Sequence, residues 1–541
     1  MLKIKSTLPE LTAKYVSASI IMNKRIIIIY GLIIILLGGV RAFSQIKLPP
    51  HFSDHMVLQR DMKVPIWGTA KPGGEVTVTF AGQKKTTQAG RDGKWMIKLD
   101  PMRSSAESRK MTITETGDTQ TSGFDDVLVG EVWLCSGQSN MDFTVAKTEK
   151  YYFAGTNNEA AEVAAANYPL IRRFTGDWSK SAEPKTEVPG TWKVVNPETV
   201  REFSAIGYFF ARDLQKEIKV PIGVMVLTYG ASTAHSWIRR EALSADPQLK
   251  SFTEKFDSDL YAFKTDPAIK GKREKDLKQW EADAAAAKVA GKPAPRRPRN
   301  PDPIEDQHNP TVMFNGMIAP VIPFAIRGVL WYQGESITGD KALFPKVNET
   351  LINDWRKLWG QGDFPFYFVQ LAPNKDPKPD PSESSIAEVR ERQAQALRVP
   401  NTAMAITIDI GDAKDIHPHN KQDVGDRLSR IALARIYGRK NEYSGPVFES
   451  MKIDGSSIRL KFSHTTGGLI AKGGPLKYFA IAGADKKFVW ADARISGDTV
   501  VVANSSVGSP MYVRYAWADN PDGCNLYNQA RLPALPFRTD K

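Results

Sequence analysis

Residues 131–141, EVWLCSGQSNM, place a serine where it can do chemistry. Residues 127–134 form a run of mainly apolar and β-branched residues, which predicts a buried strand, and Cys135, Ser136 and Gly137 let the chain turn sharply at its end. Ser139 comes just past that turn. At the carboxyl end of a strand in an open α/β sheet it would face the ligand crevice, with its hydroxyl exposed and positioned as a nucleophile. The alternative reading is that Ser139 caps the helix that follows.

A serine nucleophile needs a base that takes its proton near neutral pH, as an unperturbed imidazole can. Of the seven histidines, His51, His55 and His464 fall in β-rich flanks and His308 ends a Pro-rich stretch, which leaves His235, His417 and His419. His417 lies in an acid-dense loop, residues 409–418, where a neighbouring carboxylate could hold the ring tautomer. Two more stretches, Tyr229-Gly230-Ala231-Ser232 and Trp331-Tyr332-Gln333-Gly334-Glu335-Ser336, each follow an expected strand. The Gly230 N–H and the Gln333 side-chain amide are therefore candidate donors to an oxyanion. No Cys or His spacing suits a metal, and hydrolysis through an acyl-enzyme needs no cofactor.

These residues need a scaffold that brings strand ends together. Between residues 126 and 440, expected strands at 222–228, 328–333, 366–370 and 403–408 alternate with helical stretches at 202–219, 347–359 and 423–437. Such alternation predicts an α/β fold, a parallel sheet with helices on both faces. Residues 45–125 and 441–541 instead repeat short β-rich runs between Gly- and Pro-containing turns, as a β-sandwich does. A charged helical and Pro-rich insertion over residues 241–310 interrupts the central region.

The amino terminus reads as an export signal. Lys24 and Arg25 precede an apolar run, and Ala42-Phe43-Ser44 offers small residues for cleavage before Gln45. Met22 is the expected start within a leader spanning residues 1–44, and no membrane span is expected after cleavage. The net charge of +13 then falls to 67 Lys or Arg against 59 Asp or Glu, and residues 239–299 alone hold 15 against 10. That excess studs one helical, Pro-flanked insert, as on a solvated face, so a nucleic-acid partner is not expected. Cys135 and Cys524 are too few for a disulfide framework and are read as separate buried thiols.

Three motifs, Gly137-Gln138-Ser139-Asn140-Met141, Trp331-Tyr332-Gln333-Gly334-Glu335-Ser336 and Asp415-Ile416-His417-Pro418, resemble those of the sialate O-acetylesterase family, a branch of the SGNH (GDSL-like) hydrolases. Residues 52–60, FSDHMVLQR, the Pro65-Ile66-Trp67-Gly68 stretch and the closing Asn525-Leu526-Tyr527-Asn528 extend the similarity across nearly the whole mature chain. The resemblance implies an SGNH-type, flavodoxin-like sheet and a secreted serine esterase that removes O-acetyl groups from carbohydrates, either sialic acid or plant-type polysaccharides. It makes Ser139 the nucleophile and His417 the base. The Ser139 and Gly230 N–H groups with the Gln333 side chain become the oxyanion hole. The position three before the histidine, where SGNH enzymes often carry the acid, is Lys414 here. Asp415 therefore stands first as the acid, Asp412 second and Glu335 third. Ala231 occupies a position where relatives often have a second glycine. Periplasmic or extracellular placement follows from the leader. A competing reading, from another class, is a non-catalytic glycan-binding protein that keeps a relic esterase region.

Overall fold

The computed structural model describes residues 46–116, 121–337 and 341–540, so the leader lies outside the described residues. The centre is a sheet whose order is Thr402–Ala405, Phe366–Val369, Gly328–Tyr332, Thr121–Gly137, Ile222–Thr228, Tyr168–Gly176 and Gly190–Val195. All neighbours are parallel except the Gly190–Val195 edge strand, which runs antiparallel. Thr121–Gly137 sits where the strand order reverses, since the chain moves to one side for Ile222–Thr228 and to the other for Gly328–Tyr332. At such a switch point the loops leaving neighbouring strands part and open a crevice.

Both faces of the sheet are covered because alternate side chains of its strands are apolar on both sides. Trp133, Cys135, Leu330, Tyr332 and Tyr367 point into a core shared with the helices Ala205–Ile218 and Lys421–Arg435. Val132, Leu134, Val329, Trp331 and Phe368 point the other way, toward the helix Phe344–Trp359. Gly425 sits where the first two helices meet: a Cβ there would lie 2.4 Å from Phe209 Cβ, so a larger residue would push them apart.

The central strand runs longer than residues 127–134, over seventeen residues, because two different sheets pair with it in succession. Its first half pairs with Ser105–Glu115 and Val57–Gln59, and its second half with the parallel sheet. At the junction Glu131 is fully buried, with Arg60 Nε at 2.5 Å and Arg327 Nε at 2.6 Å. A buried carboxylate flanked by two guanidinium groups ties the amino-terminal strands to the sheet, since removing either partner would strand a charge.

The carboxyl region forms antiparallel sheets, one of them Val447–Asp454, Ser457–Ser463, Thr499–Ala503 and Asp492–Ser496. Its core includes Ile406 and Ile408, which follow the edge strand Thr402–Ala405. That strand stops short of residue 408 because those isoleucines leave the sheet to fill the neighbouring core. In the insertion, the helix Pro267–Val289 buries none of its residues, and the Pro-rich segment returns along it, with Trp280 Nε1 donating to the Pro295 carbonyl at 2.8 Å. Cys135 and Cys524 are both buried and unpaired. Among the described residues no helix is long and apolar enough to cross a membrane.

Candidate active site

The central strand ends at Gly137, where only glycine fits. Its φ is +130°, and a Cβ would lie 2.2 Å from the Tyr332 carbonyl oxygen of the adjacent strand. Gln138 fastens the turn: its backbone N–H donates to Tyr332 O at 3.0 Å, and its side-chain oxygen accepts from Gly334 N at 3.3 Å and Ser336 N at 3.2 Å. Ser139 opens the one-turn helix Ser139–Asp142, with Gln138 in the cap position. Its hydroxyl is thus free of the capping role considered from sequence.

Ser139 Oγ lies 2.9 Å from His417 Nε2, and His417 Nδ1 lies 3.2 Å from Asp415 Oδ1. The same Asp415 oxygen accepts from the His417 backbone N–H at 2.8 Å. This turn bends the chain at Ile416, so a carboxylate only two residues away reaches the ring. Burial, and then the Lys421 charge, hold His417 below the ordinary imidazole range, with Asp415 opposing them. The ring is therefore uncharged at neutral pH, the form that accepts a proton.

The other sequence candidates fall elsewhere. Asp412 is exposed and its Oδ1 accepts from Lys414 N at 2.8 Å, while Glu335 bonds to Asn140; neither carboxylate bonds to His417. His235 is buried against Phe252, its Nε2 2.8 Å from the His308 carbonyl oxygen. His419 packs edge-on against Phe143 and bonds the Gly155 carbonyl. A Cβ on Gly230 would come within 3.8 Å of Ser139 Cβ, so the Gly230 backbone runs beside the serine. Ala231 takes a left-handed φ of 56°, the conformation that glycine adopts at lower cost. Gln333 is 2% exposed; its amide nitrogen donates to the Ser232 carbonyl at 3.3 Å and its Oε1 is buried without a partner.

Aromatic side chains continue from the histidine around the serine. Phe153 packs tilted against His417 with centroids 4.7 Å apart, and Tyr151, Trp178 and Tyr229 follow in edge or tilted contact. Trp178 is 43% exposed and is backed by Tyr151, in edge contact, and by Tyr229, tilted against it. An exposed aromatic face held from beneath can stack on a sugar ring without losing further side-chain freedom.

Sequence reasoning missed Asn140 and Lys421. Both are 0% exposed, and Lys421 Nζ donates to Asn140 Oδ1 at 2.6 Å. A signal was present for each: Asn140 belongs to the serine motif, and Lys421 places a cation in the first turn of a helix, against its dipole.

The family model for a carbohydrate esterase, sialic acid-specific acetylesterase, matches residues 308–434, which contain Asp415 and His417. The chain is 28% identical over 554 residues to a sialate O-acetylesterase of Mus musculus, covering 94% of this chain and 97% of the relative. It is 27% identical over 533 residues to the Homo sapiens sialate O-acetylesterase, covering 91% and 92%. Among solved structures, a carbohydrate acetylesterase from Xanthomonas citri is 33% identical, with a TM-score of 0.76 over 92% of this chain and 100% of that one.

Proposed function

The chain belongs to the sialic acid-specific acetylesterase family of carbohydrate esterases, and from that membership we propose that it is an exported serine esterase that removes O-acetyl groups from a carbohydrate through an acyl-enzyme. The observation that carries this reading is the continuous contact from Ser139 Oγ through His417 to Asp415. A nucleophile, a base and an acid in contact support catalysis over a relic that only binds glycans.

In this reading Ser139 Oγ attacks the acetyl carbonyl carbon as its proton passes to His417 Nε2. The carbonyl oxygen, now negative, is met by the backbone N–H groups of Ser139 and Gly230, and by the Gln333 amide once it turns from Ser232. Collapse breaks the bond to the sugar oxygen, which takes the proton from His417, and leaves acetyl-Ser139. Water repeats the cycle, releasing acetate. Asp415 keeps the proton of the neutral ring on Nδ1 and stabilises the imidazolium. The Trp178 face and its aromatic neighbours supply a wall for the sugar. The leader at residues 1–44 supports export, and residues 45–125, 126–440 and 441–541 are proposed as the three units of the mature chain.

The test is acetate release from an aryl acetate and from a panel of acetylated sialic acids, xylans, xyloglucans and pectins. Ser139→Ala is expected to lower the aryl acetate rate by several powers of ten in a folded protein. Retention of more than about a tenth of the activity would reject Ser139 as nucleophile.

A further inference from the structure

Behind the Ser139 and His417 pair lies a set of buried polar groups that the acyl-transfer scheme does not use. Asn140 is fully enclosed, and its oxygen and both N–H groups are engaged. Its Oδ1 accepts from Lys421 Nζ at 2.6 Å, while its Nδ2 donates to Glu335 Oε1 and, at 2.9 Å, to the Ile416 carbonyl. Ile416 is the residue at which the chain bends between Asp415 and His417. The Asn140 amide therefore grips the carbonyl of the bend from the residue next to the nucleophile.

Structural economy alone does not account for this arrangement. Lys421 is 0% exposed in the first turn of the helix Lys421–Arg435, where both desolvation and the helix dipole oppose a cation. Burial pulls it down to about 7, with Glu335 and Asp415 opposing. It rests over the Phe143 ring at 4.4 Å and the Tyr332 ring at 5.8 Å. Glu335 is raised by burial, and its Oε2 is enclosed without a partner. The two opposite charges share no contact within 4 Å; the Asn140 amide stands between them. A donor at its oxygen and an acceptor at its nitrogen leave the amide one orientation.

We propose that Lys421 and Glu335 are positioning residues: by holding the Asn140 amide from both ends they direct its second N–H onto the Ile416 carbonyl, and so set the bend that places His417 between Asp415 and Ser139. The proposal rests on the reading that Ser139 and His417 perform the chemistry. Lys421 also acts on the ring through its charge. The charged or titratable groups that bear on His417 are Lys421 and His419, which lower it, and Asp415, which raises it.

The experiment compares full-length wild type, Ser139→Ala, Lys421→Met, Glu335→Leu and Glu335→Gln in aryl acetate hydrolysis across pH 5–9. Ser139→Ala judges the underlying reading independently: its loss of activity upholds the nucleophile whatever the other variants do. Lys421→Met and Glu335→Leu are expected to lose about 10- to 100-fold in kcat, the scale of a misplaced catalytic group, with KM changed less than about threefold. Glu335→Gln, which keeps an acceptor for Asn140, is expected to recover most of what Glu335→Leu loses. In Lys421→Met the acid limb of kcat/KM moves to higher pH, because the cation that depresses His417 is gone. A lost packing contact alone would not move that limb. Two results would overturn the proposal: kcat within about threefold of wild type in both Lys421→Met and Glu335→Leu, or Glu335→Gln as inactive as Glu335→Leu. Should a single variant fail to fold, Lys421→Met/Glu335→Gln, which leaves no buried charge, is judged by the same kcat loss and the same shift of the acid limb.

Discussion

Replacing Asp415 by asparagine separates the charge of this residue from its hydrogen bonds. In the best-studied serine triad the corresponding change costs about 10⁴ in rate, because the amide stabilises the wrong tautomer of the ring. The geometry here leads to a smaller loss. A single oxygen, Oδ1, meets both the His417 backbone N–H at 2.8 Å and Nδ1 at 3.2 Å. In Asp415→Asn the backbone N–H selects the amide oxygen for that place, so Nδ1 still faces an acceptor and keeps its proton. What disappears is the charge opposite the imidazolium, at a side chain 39% exposed and so partly screened by water. A charge-assisted bond exceeds a neutral one by about 1–2 kcal/mol, which corresponds to a 5- to 30-fold loss in kcat/KM. Asp415→Ala removes the turn as well as the acceptor and is expected to lose about 10²- to 10³-fold. The assay is aryl acetate hydrolysis from pH 5 to 9, with Asp412→Asn as a control. Because Asp415 raises His417, the acid limb in Asp415→Asn moves to lower pH, opposite to the shift expected for Lys421→Met. If Asp415→Asn costs as much as Asp415→Ala, the backbone does not orient the side chain as argued. If Asp412→Asn costs more than either, Asp415 is not the acid.

Three further predictions concern the scaffold. Gly137→Ala sets a Cβ 2.2 Å from the Tyr332 carbonyl oxygen at a φ of +130°, and is expected to cost at least about 3 kcal/mol; a melting temperature unchanged from wild type would refute it. Burial raises Asp142 to about 6 from 3.8, so its ionisation opposes folding increasingly as pH climbs between those values and fully above them. Asp142→Asn should therefore stabilise the protein by up to about 3 kcal/mol at pH 8 and by nothing below pH 4, and equal effects at both pH values in thermal unfolding would contradict the assignment. A fragment of residues 126–440 should not fold stably, because it splits the pairing of Thr121–Gly137 with Ser105–Glu115 and uncovers Ile406 and Ile408; a monomeric, fully active fragment would show otherwise.

Local patterns made much of this molecule legible. The alternation of strands and helices, the turn residues after Leu134 and the acid-dense loop before the last helix predict an α/β sheet with Ser139 and His417 at its active end. These are short-range signals: apolar periodicity, glycine where the backbone must turn tightly, and acids close in the chain. The lengths of elements were less legible, because strand ends depend on partners. Thr121–Gly137 extends at both ends through pairing with two sheets, and Thr402–Ala405 stops early because Ile406 and Ile408 serve another core. Sequence put Asp415 ahead of Asp412 and Glu335 but could not show which one meets His417, since that contact is made in a turn where one oxygen meets both a backbone and a ring nitrogen. Least legible was the set of Asn140, Glu335 and Lys421. They are remote in sequence, and although Asn140 and Glu335 each lie in a motif and the lysine is set against its helix dipole, nothing local joins the three. What joins them is that the Asn140 and Lys421 side chains and one Glu335 oxygen are shut away from water with few partners to choose from, and that condition arises only when the sheet brings the ends of separate strands and the start of the last helix to one place.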